Sequence, residues 1–244
     1  MSVSRGTIAA MATIPSRRNK LRKVVNSLLV QVDAVHIYMN GYDKAPEWMK
    51  KNDRIKFVLS NNTQYKDVGD AGKFFWCEVH DGVYLTVDDD LIYPPTYVDQ
   101  MMEGLKSVGN RAIITMHGAT INRGARAYHT GKKLYALLSN QNKSRNVHIG
   151  GTGCMAFDTA LIRPMMSWFP TPNMADVWIG KKAQQTKTPI LMIPHNGAEF
   201  TLINYKKTIW AATSSKDGSE MDASEVSDKI IRETDWRLPP IVGR

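Results

Sequence analysis

Short apolar runs alternate with amphipathic stretches along the first part of the chain. Runs typical of strands occupy Thr7–Thr13, Ala34–Asn40, Arg54–Ser60 and Gly82–Val87. Between the first two runs, residues 17–31 place apolar side chains on one face of a helix, at Leu21, Val24, Val25, Leu28 and Leu29. Because strands alternate with helices at this spacing, the pattern predicts βαβ units and a mostly parallel sheet.

The same alternation continues to the end of the chain. Further strands are predicted at Arg111–Met116, Gly150–Phe157 and Pro189–Ile193. Further helices are predicted at Gly72–Val79, Tyr97–Val108, Ala175–Gln185 and Ala223–Thr234, and the polar segment Thr213–Glu220 is predicted to be mobile. The sequence therefore predicts a single Rossmann-like α/β domain over residues 1–244, with a mixed, mainly parallel central sheet flanked by helices.

Composition narrows the class of protein. Hydrophobic residues make up 43% and charged residues 23% of the 244 positions, as in ordinary globular proteins. There is no apolar run of about 18 residues and no signal-peptide pattern, so we expect no stable membrane insertion and a cytoplasmic location. Cys77 and Cys154 lack the C-x-x-C spacing of zinc or redox sites and are predicted to be buried.

The formal net charge of +9 is unevenly distributed. No Asp or Glu occurs between Gly104 and Phe157, a range that we call the basic segment. Its basic residues include Lys106, Arg111, Arg123, Arg126, Lys132, Lys133, Lys143 and Arg145. Such a segment either faces an anionic partner or is a solvated, flexible loop, and the sequence leaves both readings open.

Three adjacent carboxylates, Asp88, Asp89 and Asp90, follow the buried strand Gly82–Val87 directly. Ligands of open parallel sheets bind beyond the carboxyl ends of the strands, where this acidic triplet is expected. Neighbouring carboxylates repel one another unless a cation or strong donors neutralise them. Mn²⁺ or Mg²⁺, held by carboxylates and substrate phosphates, is the simplest solution, and an acidic turn before Pro94 is the alternative.

The segment YLTVDDDLIYPPTYV around this triplet resembles the D-x-D region of GT-A glycosyltransferases of the family 2-like group, including viral and bacterial members. The resemblance extends from Thr7 to about Trp236 through MATIPSRR, DAGKFFW, GGTGCMAF, MADVWIG and IPH. It implies the GT-A fold and transfer of a hexosyl or pentosyl group from a nucleotide diphosphate, with UDP favoured. It also implies a donor-binding half at 1–110, an acceptor and catalytic half at 111–210, and a C-terminal helix and tail at 211–244.

The resemblance assigns donor-binding roles to several residues. It implies that Asp88 lies near the donor ribose, that Asp90 ligates the metal together with Asp88, and that Asp89 takes either role. Asp70 would meet the base and Lys73 the phosphates, although GDAGK could also be a turn and helix cap. The wall around the base would comprise Ala12, Thr13, Ile14, Pro15 and Arg17, for which a plain helix-entry loop is the alternative.

Catalytic roles follow from the same resemblance. Asp176 is implied to be the general base of an inverting transferase, since an acceptor hydroxyl must lose its proton as it attacks. Its position three residues after Asn173 also suits a helix cap. His195 is implied to be a further metal ligand, with an ordinary loop histidine as the alternative. Trp178 suits either stacking on a sugar or a core position.

The acceptor is expected to be a glycan or lipid-linked sugar, in a bacterial cell or a virus-infected host cell. The basic segment also suits a hydroxylated DNA base, for example a hydroxymethylated one, as the acceptor. In another class, the charge and Tyr128 and Tyr135 fit a noncatalytic nucleic-acid-binding module. A metal-dependent nuclease or nucleotidyltransferase would use clustered carboxylates too, but it leaves the other matching segments unexplained.

Overall fold

The structure, a computed structural model, describes residues 5–203 and 223–241. The predicted mobile segment Thr213–Glu220 lies outside these residues. The described strands are β1 (Gly6–Thr13), β2 (Ala34–Met39), β3 (Ile55–Leu59), β4 (Gly82–Val87), β5 (Leu91–Ile92), β6 (Ile113–Thr115), β7 (Gly118–Ile121), β8 (Lys132–Tyr135), β9 (Arg145–Val147), β10 (Ile149–Gly150), β11 (Cys154–Asp158), β12 (Ile190–Met192) and β13 (Thr201–Leu202). The described α-helices are α1 (Arg18–Leu29), α2 (Glu47–Lys50), α3 (Tyr97–Ser107), α4 (Ala175–Gln185) and α5 (Ala223–Glu233).

One eight-stranded sheet runs through both halves of the chain, in the order β3-β2-β1-β4-β11-β6-β12-β9. The first four strands are parallel to one another, and β12 is parallel to β6. Strand β11 runs antiparallel to its neighbours β4 and β6, and β9 runs antiparallel to β12. The predicted mixed, mainly parallel α/β sheet flanked by helices is confirmed.

Both faces of the sheet are covered, as strand β4 shows. Its Leu85 and Val87 join a core cluster with α1 and α3, whereas Tyr84 joins a second cluster with Phe74 and residues of α4. All three side chains are fully buried. A strand buried on both faces reads as a continuous apolar run, which is why GVYLTV was recognisable as a strand from the sequence.

Strand direction determines where the candidate residues meet. Strands β1 and β4 are parallel with Ala10 opposite Thr86, so the residues that follow each strand leave the sheet at the same edge. Strand β11 is antiparallel to β4 with Cys154 opposite Val87, so the residues that precede β11 arrive at that edge too. This edge therefore collects the end of β1, the acidic triplet and the GGTG segment.

The helix predicted at Gly72–Val79 is wrong in type and bounds. The chain forms a 3₁₀-helix at Gly69–Phe74 and then hydrogen-bonded turns that end at His80. Gly72 lies against the ring of Tyr38, where an added Cβ would clash. Close packing against β2 thus overrides the apolar periodicity that predicted an α-helix.

The basic segment is not one flexible loop in the structure. Strand β7 pairs antiparallel with β8 and with β10, which gives a small three-stranded sheet beside the central one. Side chains of the basic segment also pack on one another: the guanidinium of Arg145 in β9 lies 4.6 Å from the ring centroid of Tyr135 in β8. Within the described parts of the chain, no helix has the length and apolar character needed to cross a bilayer.

Candidate functional site

The three carboxylates of the acidic triplet have different surroundings. The side chain of Asp89 is only 4% exposed and pairs with the buried guanidinium of Arg17. Nη1 of Arg17 also lies 3.1 Å from Oδ2 of Asp90, whose side chain is 20% exposed. The Asp88 side chain is 41% exposed, and its Oδ1 lies 2.5 Å from Nζ of the buried Lys73. Arg17 and Lys73 therefore provide the cations that the crowded carboxylates require.

This pairing explains the pKa shifts at the triplet. Burial would lower the pKa of Lys73, but Asp88 and Asp70 outweigh it and raise the pKa above its ordinary value. For Asp88, Lys73 outweighs burial and lowers the carboxyl pKa. Burial and the neighbouring charge of Asp88 raise the pKa of Asp90 to about 6. Two cations face the three carboxylates of the triplet, so negative charge remains in excess there.

Asp88 and Asp90 fit a divalent cation that is shared with a substrate. Both leave carboxylate surface accessible, and the charge of Asp88 adds to the effect of burial in raising the pKa of Asp90. In residues 5–203 and 223–241, no group of three His, Cys, Asp or Glu side chains is arranged as a metal cage. Mg²⁺ and similar ions commonly use one or two carboxylates together with substrate phosphates, so two protein ligands suffice for this type of site.

The Asp70 side chain contacts the N-terminus of α4. It does not form an exposed cap of the 3₁₀-helix Gly69–Phe74, to which Asp70 belongs. Its Oδ2 accepts a hydrogen bond from the backbone N–H of Ala175, at 3.0 Å. Burial raises the pKa of the Asp70 carboxyl to about 6, although Lys73 acts in the opposite direction. Asp70 thus ties the 3₁₀-helix Gly69–Phe74 to α4, and its predicted contact with a base stays a prediction.

Asp176 is held by a threonine of the GGTG segment. Its Oδ1 accepts hydrogen bonds from the backbone N–H of Thr152, at 2.8 Å, and from the Thr152 hydroxyl, at 2.6 Å. The N-cap of α4 is Met174, with no side-chain capping bond. The capping alternative is therefore not what this carboxylate does in the structure. One oxygen is fixed by Thr152, which leaves Oδ2 to accept a proton.

The segment Gly151–Gly153 joins the triplet to Asp176. Gly153 packs so closely against the Asp88 carboxylate that an added Cβ would overlap it. The Tyr93 hydroxyl accepts the Asp88 N–H at 2.7 Å and donates to the Gly153 carbonyl at 2.5 Å. Because Thr152 binds Asp176 and Gly153 packs against Asp88, one three-residue segment contacts both carboxylates.

The predicted wall of the base pocket lies at the same sheet edge. Thr13 and Arg17 are buried, Ala12 and Ile14 are partly exposed, and Pro15 is exposed. The Ile14 carbonyl accepts a hydrogen bond from the Tyr42 hydroxyl, at 2.9 Å, which positions the turn. The guanidinium of Arg17 lies beside the triplet and pairs with Asp89 and Asp90. The sequence pattern did not indicate this contact.

His195 is held by backbone groups. Its Nε2 lies 2.9 Å from the carbonyl of Leu137 and its Nδ1 lies 3.2 Å from that of Ile193. The ring would have to leave these carbonyls to ligate a metal, so that role stays a prediction. Trp178 packs against core residues of both clusters around α4, which favours a core position for this side chain over stacking on a sugar. Cys77 and Cys154 are buried free thiols, as predicted.

Sequence reasoning missed three residues of this site, namely Tyr93, His117 and Thr152. Thr152 was visible within GGTGCMAF, but a threonine between glycines carries no signal of its contact with a distant carboxylate. His117 follows β6, and its charge interacts with those of Asp176 and Asp88. Tyr93 lies just beyond the triplet and would have been assigned to the core from its apolar neighbours.

Comparison with known proteins gives a partial likeness to solved structures. No family model and no curated protein matches the chain. A solved structure of glucosyl-3-phosphoglycerate synthase from Mycobacterium tuberculosis, in complex with Mn²⁺, UDP-glucose and phosphoglyceric acid, is similar with a TM-score of 0.33 and 20% sequence identity. The similarity covers 50% of this chain and 45% of that one, so the chain spans less than half of that structure.

Proposed function

We propose that this chain is a metal-dependent glycosyltransferase of the GT-A type, which moves a sugar from a nucleotide diphosphate, with UDP as the expected nucleotide, to an acceptor hydroxyl. The observation that carries the proposal is the Gly151–Gly153 segment. It lies against the accessible carboxylate of Asp88 through Gly153 and fixes Asp176 through Thr152. A donor diphosphate at Asp88 and an acceptor hydroxyl at Asp176 would therefore be held beside one short segment.

Each carboxylate group has its own task in this proposal. Asp88 and Asp90 would hold Mn²⁺ or Mg²⁺, which supplies positive charge for the departing diphosphate. Lys73 and Arg17 pair with the carboxylates of the triplet and orient them. The turn at Ala12–Arg17 and the Asp70 segment would line the nucleotide, with residues 1–110 as the donor half and 111–210 as the acceptor half.

Asp176 would act as the general base. As the acceptor oxygen forms its bond to the anomeric carbon, the bond from that carbon to the diphosphate breaks and its electron pair leaves with the diphosphate. The hydroxyl proton passes to Oδ2 of Asp176, because Oδ1 is already hydrogen-bonded to Thr152. A single displacement of this type inverts the anomeric centre.

Calorimetric titration of UDP, with and without Mn²⁺, tests the donor side. Wild-type protein should bind UDP at least tenfold more tightly with Mn²⁺, and Asp90→Ala should lose that difference. Asp99→Ala removes an exposed carboxylate of α3 and should bind as the wild type does. Equal affinity in wild type, Asp90→Ala and chelator-treated protein would contradict the metal site. A donor screen that follows nucleotide release from each common sugar nucleotide would then identify the sugar.

A further inference from the structure

Lys132 is a partly buried cation close to the candidate base. It opens β8, and its Nζ lies 3.1 Å from the ring centroid of Tyr128. Within the described residues, no carboxylate forms an ion pair with it. Burial lowers the pKa of Lys132 to about 8, while the charge of Asp176 acts in the opposite direction. A partly desolvated ammonium group with no anionic partner is unusual, because burying a charge costs free energy unless it is paired.

His117 presents a hydrogen-bond donor to the same region. Its Nδ1 accepts the backbone N–H of Leu137 at 3.1 Å, so a neutral ring must carry its proton on Nε2. Burial lowers the pKa of His117, which keeps the ring neutral, although Asp176 and Asp88 oppose the shift. Nε2 has no hydrogen-bond partner among the residues that the structure describes. Gly151 packs against the ring and holds it beside the Gly151–Gly153 segment.

These two groups come from separate elements near Asp176. Lys132 opens β8 opposite Ile121 of β7, and His117 directly precedes β7. The His117 ring lies against Gly151, the neighbour of the Thr152 that binds Asp176, and the charges of Lys132, His117 and Asp176 interact. Tyr128, under Lys132, is fixed by a hydrogen bond from its backbone N–H to Asp228 of α5, at 2.7 Å. Two donors near the candidate base, the Lys132 ammonium and Nε2–H of His117, thus have no acceptor among the described residues.

We propose that Lys132 and His117 form a subsite for one anionic group of the acceptor, a phosphate or a carboxylate, beside the hydroxyl that Asp176 deprotonates. The subsite rests on the proposed function for its role in transfer, but not for its ability to bind an anion. Lys132 would supply the charge and Nε2–H of His117 a directed hydrogen bond, as ammonium and imidazole donors commonly do for oxyanions. An acceptor that carries phosphate near its reacting hydroxyl fits this site.

Binding of inorganic phosphate tests the subsite without requiring catalysis. In NMR titrations of the full chain, phosphate should shift the His117 ring signals in a saturable way. Lys132→Met keeps the length of the side chain over Tyr128 and should weaken that binding at least tenfold. Lys133→Met is the matched control, because Lys133 is exposed and lies on the opposite face of β8. Equal phosphate binding in wild type and Lys132→Met, or equal losses in both variants, would overturn the proposal.

A second experiment tests whether the subsite binds the acceptor. A hexose 6-phosphate should bind at least tenfold more tightly than the free hexose, and Lys132→Met should remove this difference while UDP affinity with Mn²⁺ stays within twofold of wild type. If Lys132→Met weakens UDP instead, the ammonium serves the donor diphosphate and the proposed acceptor subsite is wrong. Loss of phosphate binding in Lys132→Met in a protein that transfers no sugar would support the subsite and count against the transferase.

Discussion

At the scale of single residues, the main result is how the acidic triplet is neutralised. From the sequence, the repulsion among Asp88, Asp89 and Asp90 predicted a bound metal ion. In the structure, Arg17 and Lys73 already compensate much of this repulsion. Crowding alone therefore does not demand a cation. We propose a metal there because Asp88 and Asp90 keep accessible carboxylate surface and because three carboxylates face only two cations.

Replacement of Asp176 by Asn tests the role of a single oxygen. The Asn side-chain carbonyl can still accept both hydrogen bonds from Thr152, so the fold and UDP affinity should be preserved. Because an amide cannot take the proton, turnover should fall on the order of a hundredfold or more. The measurements are steady-state kinetics, UDP titration and NMR of the product anomer. Near-normal turnover in Asp176→Asn, or a product with retained configuration, would exclude Asp176 as the base of an inverting reaction.

At the scale of elements, the Gly151–Gly153 segment is the connection on which the site depends. It precedes β11, the antiparallel strand inserted between β4 and β6, and this direction brings it to the triplet. The same segment contacts Lys73 through the Thr152 carbonyl, 3.5 Å from Nζ. A change here should disturb both the Asp88 carboxylate and its ion pair with Lys73.

Gly153→Ala tests that connection. The added methyl would displace the Asp88 carboxylate, so Mn²⁺-dependent UDP affinity should fall at least tenfold. Because Asp88 is the ion-pair partner of the buried Lys73, the free energy of unfolding should also fall, by about 3 kcal/mol or less. Gly6→Ala is the matched control, because its Cβ would make only ordinary contacts, the nearest at 3.4 Å from Asp33. Wild-type UDP affinity in Gly153→Ala would show that the Asp88 position is not important for the donor.

At the scale of the whole molecule, stability should depend on the protonation of His36. This histidine of β2 packs edge-on against Trp76, with ring centroids 5.0 Å apart. Burial, reinforced by the nearby His80 and Lys56, lowers its pKa from 6.5 to about 4. Between pH 6.5 and pH 4, the unfolded chain therefore binds a proton at His36 that the folded protein does not bind. The free energy of unfolding is unaffected by this proton above pH 6.5 and falls as the pH drops towards 4.

His36→Phe should reduce that acid sensitivity. Between pH 7.5 and pH 5, the wild-type free energy of unfolding should fall by about 2 kcal/mol more than that of the variant. Urea unfolding at the two pH values measures the difference. His129→Phe, which removes an exposed imidazole, should behave as the wild type does. Identical pH dependence in wild type and His36→Phe would show that His36 is protonated as easily in the folded protein as in the unfolded chain.

The sequence by itself determined several of the elements and the position of the triplet. Periodicity located β4 and α4 with their observed bounds, because each has an apolar pattern that belongs to one type of element. It also placed the triplet at a strand end, where parallel sheets bind ligands. It did not determine the 3₁₀-helix Gly69–Phe74, since the packing of Gly72 against Tyr38 has no local signal.

Only the tertiary structure decided which residues of the site touch. Lys73 and Asp88 are 15 positions apart, Thr152 and Asp176 are 24 apart, and Asp70 and Ala175 are 105 apart. Each contact requires separate segments to reach one edge of the sheet, and strand order and direction control that arrangement. A local pattern describes a residue and its close neighbours in the chain. It cannot show that Arg17 compensates the triplet or that Thr152 fixes Asp176, because those contacts form only when the sheet has assembled.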